Sequence, residues 1–228
     1  MPGCTLVMDT SSSPLLLAVE KGDKRYATRR KGIKQEKLLF PVLRGLLVKA
    51  HADLPDISRI FIIRGPGRFT GIRIALTFAS MMKMLNQTVV CGATLFEVLR
   101  AQVTVSRSFK RWQKNNPTGV LAVILHAFRE EYFLQIFDAK NAGPQWLSRE
   151  ELLAQLSTYA VPLFIAGTDK NFAPLNELLG NAYALATYKD CRVQAKTLVA
   201  LAQDEKWVKN ALEPLYLKPA RFELEHPQ

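Results

Sequence analysis

The sequence predicts an α/β protein of two mixed lobes, each with a sheet and flanking helices. Its 228 residues allow one large domain or two lobes of roughly 100 residues each. Hydrophobic residues make up 48% of the chain and charged residues 22%, which excludes a disordered or collagen-like chain. Each half opens with two short strands and then alternates strands with helices, the order typical of a mixed lobe.

In the first half, short apolar segments predict strands, and longer segments with helical spacing predict helices. Leucines recur every three or four positions over 35–50, which predicts an amphipathic helix. The apolar run 60–63 predicts a buried parallel strand, and Thr70 is the predicted N-cap of the next helix. The predicted elements are strands over 4–9, 15–20 and 25–28, a helix over 35–50, a strand over 60–63, a helix over 70–85, a strand over 88–91 and a helix over 94–103.

The second half repeats this opening after a basic segment over 104–118, which ends in a linker-like stretch of Asn, Pro and Gly. Ser148 and Glu151 form a predicted capping box. The predicted elements are strands over 120–125, 132–137 and near 146, a helix over 148–159, a strand over 162–166, and helices over 174–179 and 195–210. We place the N-terminal lobe at 1–104 and a smaller C-terminal lobe at 105–228, and expect the helix over 195–210 to pack back on the first lobe.

Cysteine usage and apolar run lengths indicate a cytoplasmic protein outside the membrane. Cys4, Cys91 and Cys191 lie far apart without a CxxC pair, so we expect three small buried hydrophobic residues in a reducing cytosol. Asp9 interrupts the only apolar stretch that could serve a signal peptide. No apolar run approaches the roughly 20 residues that a membrane helix needs.

The positive charge is concentrated in two segments. The chain carries a formal charge of +11, and residues 21–50 hold ten Lys and Arg against two acids, while residues 100–116 hold five against none. Such clusters neutralise phosphates, so nucleic acid is the first candidate partner. A solvated basic surface is the alternative.

Two turns could hold an anion. Residues 64–75, RGPGRFTGIRIA, place glycines between a strand and a helix, where free N–H groups and the helix dipole favour a phosphate. This loop lacks both the Walker A and the GxGxxG spacing, so an interaction loop is the alternative. The turn after the first strand offers hydroxyls and a carboxylate, although such turns are commonly plain hairpins. The candidate phosphate- or nucleotide-facing residues are Asp9, Thr10, Ser11, Gly65, Gly67, Thr70 and Gly71.

The helix over 70–85 carries two apolar stripes and only a narrow polar strip. An ordinary surface helix buries one face, so this helix needs a cover on two sides. One cover is its own sheet. The other is the helix over 35–50, a second chain, or both, and the alternative is a central helix buried within its own lobe.

Catalytic patterns are poor. His51, His126 and His226 are isolated, with no HxxxH or HExxH spacing, and no GxSxG motif is present. The residues therefore favour a protein with a helical interface and basic surfaces over an autonomous enzyme.

The loop RGPGRFTGIRIA resembles the GRGPGSFTGxRIG-type loop of the bacterial TsaB (YeaZ) family. Weaker matches follow in the family's order: residues 6–12 with its ILAIDTS turn, 36–41 with ERLLP, 94–99 with its TSL helix, 127–132 with DARRGEVY, 167–169 with GDG and 214–218 with PxYLR. The chain departs from the family at Lys34 and Gln35, where His-Ser is usual, at Arg68 for serine, at His126 for aspartate, and in its longer basic segment.

This resemblance implies a two-lobed actin-like/Hsp70-like ATPase (ASKHA) fold. It also implies a non-catalytic scaffold subunit that pairs with TsaD in forming threonylcarbamoyladenosine at position 37 of ANN-reading tRNAs, with the ATPase TsaE as a further partner. TsaD relatives bind metal through HxxxH on the first helix, whereas residues 34–38 contain no histidine. We therefore expect no metal and no cofactor of its own, since ATP and metal belong to the partner subunits.

The paired helices of the family correspond to about 35–50 and 70–85 here. The expected partner-binding residues are Leu38, Leu39, Phe69, Arg73, Thr77, Phe78, Met81 and Met84. The candidate tRNA-facing residues are Lys34, Arg107, Lys110 and Arg111. A homodimer through an uncovered apolar helix face is also expected when the chain is alone.

The alternative function is an ATP-dependent phosphotransferase or ATPase of the same superfold. It requires a carboxylate base opposite Asp9 and an adenosine loop, for which residues 167–169 are the candidate. A peptidase would need a nucleophile–base pair or metal ligands, and the sequence offers neither.

Overall fold

The computed structural model describes residues 3–32, 35–140, 142–168 and 172–218. The chain divides into two compact units, Met1–Val98 with Val193–Leu215, and Leu99–Arg192 with Tyr216–Gln228. Each unit is built on a five-stranded mixed sheet with flanking helices, which confirms the predicted fold class. The predicted lobe boundary at residue 104 stays a prediction.

The described residues form ten strands and eight helices. The strands are β1 (Cys4–Asp9), β2 (Leu15–Lys21), β3 (Lys24–Arg30), β4 (Ile57–Ile63), β5 (Val89–Ala93), β6 (Val120–Phe128), β7 (Glu131–Phe137), β8 (Gln145–Ser148), β9 (Leu163–Thr168) and β10 (Ala184–Leu185). The helices are α1 (Gln35–Lys49), α2 (Phe69–Asn86), α3 (Leu95–Val103), α4 (Arg107–Asn115), α5 (Arg149–Ser157), α6 (Phe172–Leu179), α7 (Tyr188–Cys191) and α8 (Ala195–Ala202).

The first unit has the strand order β3-β2-β1-β4-β5, with β1 antiparallel to β2 and parallel to β4. Helices α1 and α2 cover one face, where Leu6 and Met8 of β1 share a buried cluster with Leu43 and Phe78. Each fully buried side chain of this size contributes roughly 1.5–3 kcal/mol. Val7, also fully buried, points to the opposite face because side chains alternate along a strand. Helix α8 packs against β1, β2 and β4.

The second unit repeats this plan with the order β8-β7-β6-β9-β10. Strand β6 is antiparallel to β7 and parallel to β9, as β1 is to its neighbours in the first unit. Ile124 and Ile165 of the sheet share a buried cluster with Leu152 and Leu156 of α5. The prediction that the second half opens like the first is confirmed.

Helix α4 was not predicted, since residues 104–118 read as a basic segment that leads into a linker. Ser106 is its N-cap, and the side-chain oxygen accepts the backbone N–H of Phe109 at 3.2 Å. The strand β10 and the four-residue helix α7 were also not predicted.

Three further details correct the prediction. The N-cap of α2 is Arg68 and not Thr70, because the Arg68 backbone N–H donates to the Ser11 carbonyl at 2.7 Å and keeps Arg68 extended. The helix predicted over 195–210 ends at Ala202, whose carbonyl accepts from Arg59 Nη1 at 2.9 Å, and a 3-10 turn follows at Glu205–Trp207. Gly167 lies within β9 instead of in a turn, while Asp169 lies outside the described residues.

Candidate functional site

An apolar groove of about 490 Å³ runs between α1 and α2 in the first unit. Six of its ten lining residues are aromatic or aliphatic, and four are polar or charged. The lining residues are Glu36, Leu39, Phe40, Phe69, Thr70, Arg73, Ile74, Thr77, Phe78 and Met81. A groove of this kind accepts the apolar face of a partner helix.

The groove exists because α2 is apolar on two sides. Ile72, Ala75 and Ala79 are buried against the unit's core. On the other side, Phe69 remains 51% exposed and Met81 37% exposed, and Phe40 of α1 is 55% exposed. Helix α1 therefore covers α2 only in part, and large apolar side chains that ordinarily prefer the interior stay in contact with water.

Aromatic contacts shape the floor and the rim of the groove. The rings of Phe40 and Phe78 meet edge to face with centroids 6.0 Å apart. The guanidinium of Arg73 lies 3.9 Å above the ring centroid of Phe69, a cation–π contact. The groove thus combines aromatic surface with the Arg73 cation held over it and the Glu36 carboxylate in its lining.

Six of the eight residues expected to bind a partner line this groove. Leu39 and Phe78 are each only 3% exposed and form the floor, while Phe69, Arg73, Thr77 and Met81 are accessible from outside. The structure places the other two, Leu38 and Met84, outside the lining: Leu38 packs against the core cluster and Met84 is 84% exposed. A role in partner binding stays a prediction for all eight residues.

Phe40 also lines the groove, although it was not among the predicted site residues. This residue lies off the buried stripe of α1, and its ring is one of the exposed parts of the groove. The sequence did contain a signal for this residue. Phe40 is a large aromatic residue on α1 that lies outside the helix's apolar stripe, where a polar residue is usual.

Both carboxylate oxygens of Asp9 accept hydrogen bonds from the turn that follows β1. Its Oδ1 accepts from the Ser11 backbone N–H at 3.1 Å and from the Ser11 hydroxyl at 2.8 Å, and its Oδ2 accepts from the Ser12 hydroxyl at 2.9 Å. Burial raises the pKa of the Asp9 carboxyl, and these hydrogen bonds oppose that rise. A role for Asp9, Thr10 and Ser11 toward phosphate stays a prediction.

The glycines of residues 64–71 have packing roles. A Cβ at Gly67 would lie 2.5 Å from the Ser11 carbonyl oxygen, and one at Gly65 would lie 2.4 Å from that of Leu215. At Gly71 the distance to the Thr10 carbonyl oxygen would be 1.9 Å. The Thr10 hydroxyl also donates to the Gly71 carbonyl at 2.7 Å. Close backbone approach explains these glycines without a ligand, and phosphate binding by them, as by Thr70, stays a prediction.

The candidate tRNA-facing residues belong to different parts of the chain. Arg107, Lys110 and Arg111 are exposed on α4 in the second unit. Lys34 lies outside the described residues. The structure therefore brings together only the three residues of α4.

Metal-ligating side chains and thiols were compared with the sequence prediction over the described part of the chain. There, no three His, Cys, Asp or Glu side chains are grouped to hold a metal ion. The three cysteines are free and buried, as predicted, and burial raises the pKa of the Cys191 thiol to about 11. Within the same residues, no helix is both long and apolar enough to cross a membrane.

Several proteins similar to this chain are named for tRNA modification. Residues 33–124 match the family model described as TsaD, tRNA N6-adenosine threonylcarbamoyltransferase. A protein of Buchnera aphidicola subsp. Baizongia pistaciae, named tRNA threonylcarbamoyladenosine biosynthesis protein TsaB, is 26% identical over 65% of this chain. The TsaB protein of Bacillus subtilis is 23% identical over 96% of this chain and 95% of its own length.

A solved structure agrees with these relatives. YeaZ from Pseudomonas aeruginosa superposes with a TM-score of 0.65 at 22% identity, over 94% of this chain and 100% of its own. This likeness shows a shared fold. The matched regions span only 63% and 56% of the lengths of two Buchnera relatives.

Proposed function

We propose that this chain, which belongs to the TsaB (YeaZ) family, takes part in forming threonylcarbamoyladenosine on tRNA as the partner of a TsaD-type transferase. Curated relatives named for this biosynthesis support the pathway. The observation that carries the proposal is the half-exposed apolar groove between α1 and α2.

The groove supports a scaffold role because its exposed apolar side chains suit the apolar face of a helix. A helix of the transferase lying over Phe40, Phe69 and Met81 removes apolar surface from water, and full burial of one such side chain contributes roughly 1.5–3 kcal/mol. Arg73, held over Phe69, offers a charge that orients the partner. Pairing through this groove would hold the transferase in its active arrangement.

The matched family model raises the alternative that the chain is itself the transferase. Its three histidines stand at positions 51, 126 and 226, so no HxxxH pair can form anywhere in the sequence. The first turn of α1 offers Gln35 and Glu36 instead. We therefore assign catalysis, metal and ATP to the partner subunits.

The same proposal places the protein in the cytoplasm, with tRNA bound by the assembled complex and a TsaE homologue as a further member. When the chain is alone, its groove is available to a second copy of itself. The alternative phosphotransferase or ATPase gains no support from Asp9, whose two carboxylate oxygens both accept hydrogen bonds from the turn. Tight nucleotide binding by the isolated chain would reopen that alternative.

The test is complex formation with the TsaD homologue of the same organism, measured by light scattering on a sizing column. Met81→Asp and Phe69→Asp change accessible groove residues, and each is expected to weaken the complex by roughly 30-fold or more, as for an interface hot spot. Phe78→Asp is unsuitable because that side chain is buried in the core.

Val105→Asp is the matched control, since Val105 is an exposed aliphatic residue outside the groove lining. It should leave the complex intact, and far-UV circular dichroism should show that all variants are folded. A complex that survives both groove substitutions would refute the groove as the interface. Absence of any complex, even with a TsaE homologue and tRNA present, would refute the scaffold role.

A further inference from the structure

Helix α4 presents a basic face that the proposed pairing leaves unused. Arg107, Lys110, Arg111 and Lys114 follow the i, i+3, i+4, i+7 spacing that places side chains on one side of a helix, and all four are exposed. None of them forms an ion pair with another described residue. Residues 100–116 contain no acid.

The opposite side of α4 is fixed inside the second unit. Phe109 is buried, and its ring lies 5.2 Å from that of Phe164 on β9, as does the ring of Trp112. A Cβ at Gly119 would lie 2.3 Å from the Trp112 ring, so the chain after the helix closes directly over it. At its N-terminal end, the Ser108 hydroxyl donates to the Asp190 carboxylate at 2.8 Å. These contacts set the rotation of α4 and hold the basic face outward.

This orientation decides among anionic ligands. The four charges span about 10 Å along the helix, at a rise of roughly 1.5 Å per residue, which suits a chain of closely spaced phosphates. A membrane-binding helix needs an apolar face free to enter the lipid, whereas the aromatic face of α4 is committed to β9. Stacking on bases is also excluded for Phe109 and Trp112, because both rings pack on Phe164.

We propose that the basic face of α4 binds the phosphate backbone of RNA, without reading its sequence. The choice of RNA as the polyanion rests on the proposed function, which makes tRNA the substrate of the assembled complex. The binding surface itself rests on the spacing, exposure and fixed rotation of the four basic residues.

The experiment uses the full chain and a fluorescently labelled tRNA transcript, with binding followed by fluorescence anisotropy at several salt concentrations. One variant removes the basic face by four substitutions to Gln, which preserves helix propensity. These are Arg107→Gln, Lys110→Gln, Arg111→Gln and Lys114→Gln. We expect the affinity at about 0.1 M salt to fall about tenfold or more, and the slope of log K against log salt to become shallower by about 3.

Two further variants keep the test decisive. The first variant removes the same charge from exposed positions of the first unit, and it should weaken binding less. Its substitutions are Lys24→Gln, Lys31→Gln, Lys37→Gln and Lys49→Gln. Arg107→Lys with Arg111→Lys keeps the charge of α4 and should retain affinity within about twofold. Equal losses from the two Gln sets would assign the effect to net charge and overturn the proposal.

The remaining outcomes separate this inference from the proposed function. Binding to anionic phosphatidylglycerol vesicles without binding to tRNA would overturn the choice of RNA. A chain that pairs with the TsaD homologue but binds tRNA equally well with and without the basic face would overturn this inference alone. The groove variants could lose pairing with the TsaD homologue while tRNA binding still depends on α4. That result would support the inference about α4.

Discussion

Gly71, near the start of α2, lies where its backbone touches the turn after β1. A Cβ there would lie 1.9 Å from the Thr10 carbonyl oxygen, far inside van der Waals contact. We therefore expect Gly71→Ala to lower the free energy of unfolding by about 2–3 kcal/mol through overpacking. Urea denaturation followed by circular dichroism measures this change.

Gly45 in α1 is the matched control because it is exposed and a Cβ there would meet nothing within 4 Å. Gly45→Ala should raise the free energy of unfolding by roughly 0.5–1 kcal/mol, since alanine favours the helix. A Gly71→Ala variant as stable as the wild type would contradict the close approach.

The residue types predicted some of the site residues, but they did not predict which other residues these contact. A glycine at the start of a helix indicates that another group lies close to its backbone, and at Gly71 that group is the Thr10 carbonyl of the same unit. Phe78 and Phe40 show the same limit. Both are aromatic residues on apolar helices, yet only the packing of the sheet decides that Phe78 is buried and Phe40 is exposed.

At the scale of elements, α4 shows where the sequence was insufficient. Its nine residues include only two large apolar side chains, and the basic residues between them favoured a solvated segment. What makes it a helix is the contact of Phe109 and Trp112 with Phe164, a residue about 50 positions away in the chain that local patterns cannot reveal. Helices with long apolar stripes, such as α1 and α2, were predicted within two residues of their ends.

Trp112→Ala removes the larger part of this anchor. The variant should lose about 3 kcal/mol in the free energy of unfolding, because the aromatic contact with Phe164 is replaced by a cavity. Gln113→Ala, at the neighbouring exposed position of α4, should change it by less than about 0.5 kcal/mol. Urea denaturation followed by far-UV circular dichroism compares the two, and equal stabilities would show that α4 is not held through Trp112.

For the whole molecule, the two sheets share one strand plan, β3-β2-β1-β4-β5 and β8-β7-β6-β9-β10. The order of strand and helix signals along the chain was enough to predict two such lobes. The sequence also predicted that a late helix returns to the first lobe, and α8 packs there against β1, β2 and β4. The end of that helix depended on Arg59 and could not be predicted from local signals.

The stability of the first unit should therefore depend on a residue far along the chain. Leu198 of α8 is fully buried, and Leu198→Asp should lower the free energy of unfolding by about 4 kcal/mol or more. Hydrogen exchange should show lost protection of backbone amides in β1 and β4. Ala200→Asp, at an exposed position of the same helix, should cost less than about 1 kcal/mol, and equal effects would contradict the packing of α8.

The division of the first unit between two stretches of chain has a consequence for biosynthesis. Val98 leaves the ribosome well before Val193, and translation at roughly 5–20 residues per second puts about 5–20 seconds between them. During that interval β1 and β4 have been made, but α8 has not, so the side chains that α8 later covers remain open to solvent. Nascent chains stalled before residue 193 should therefore be the species that chaperones recognise.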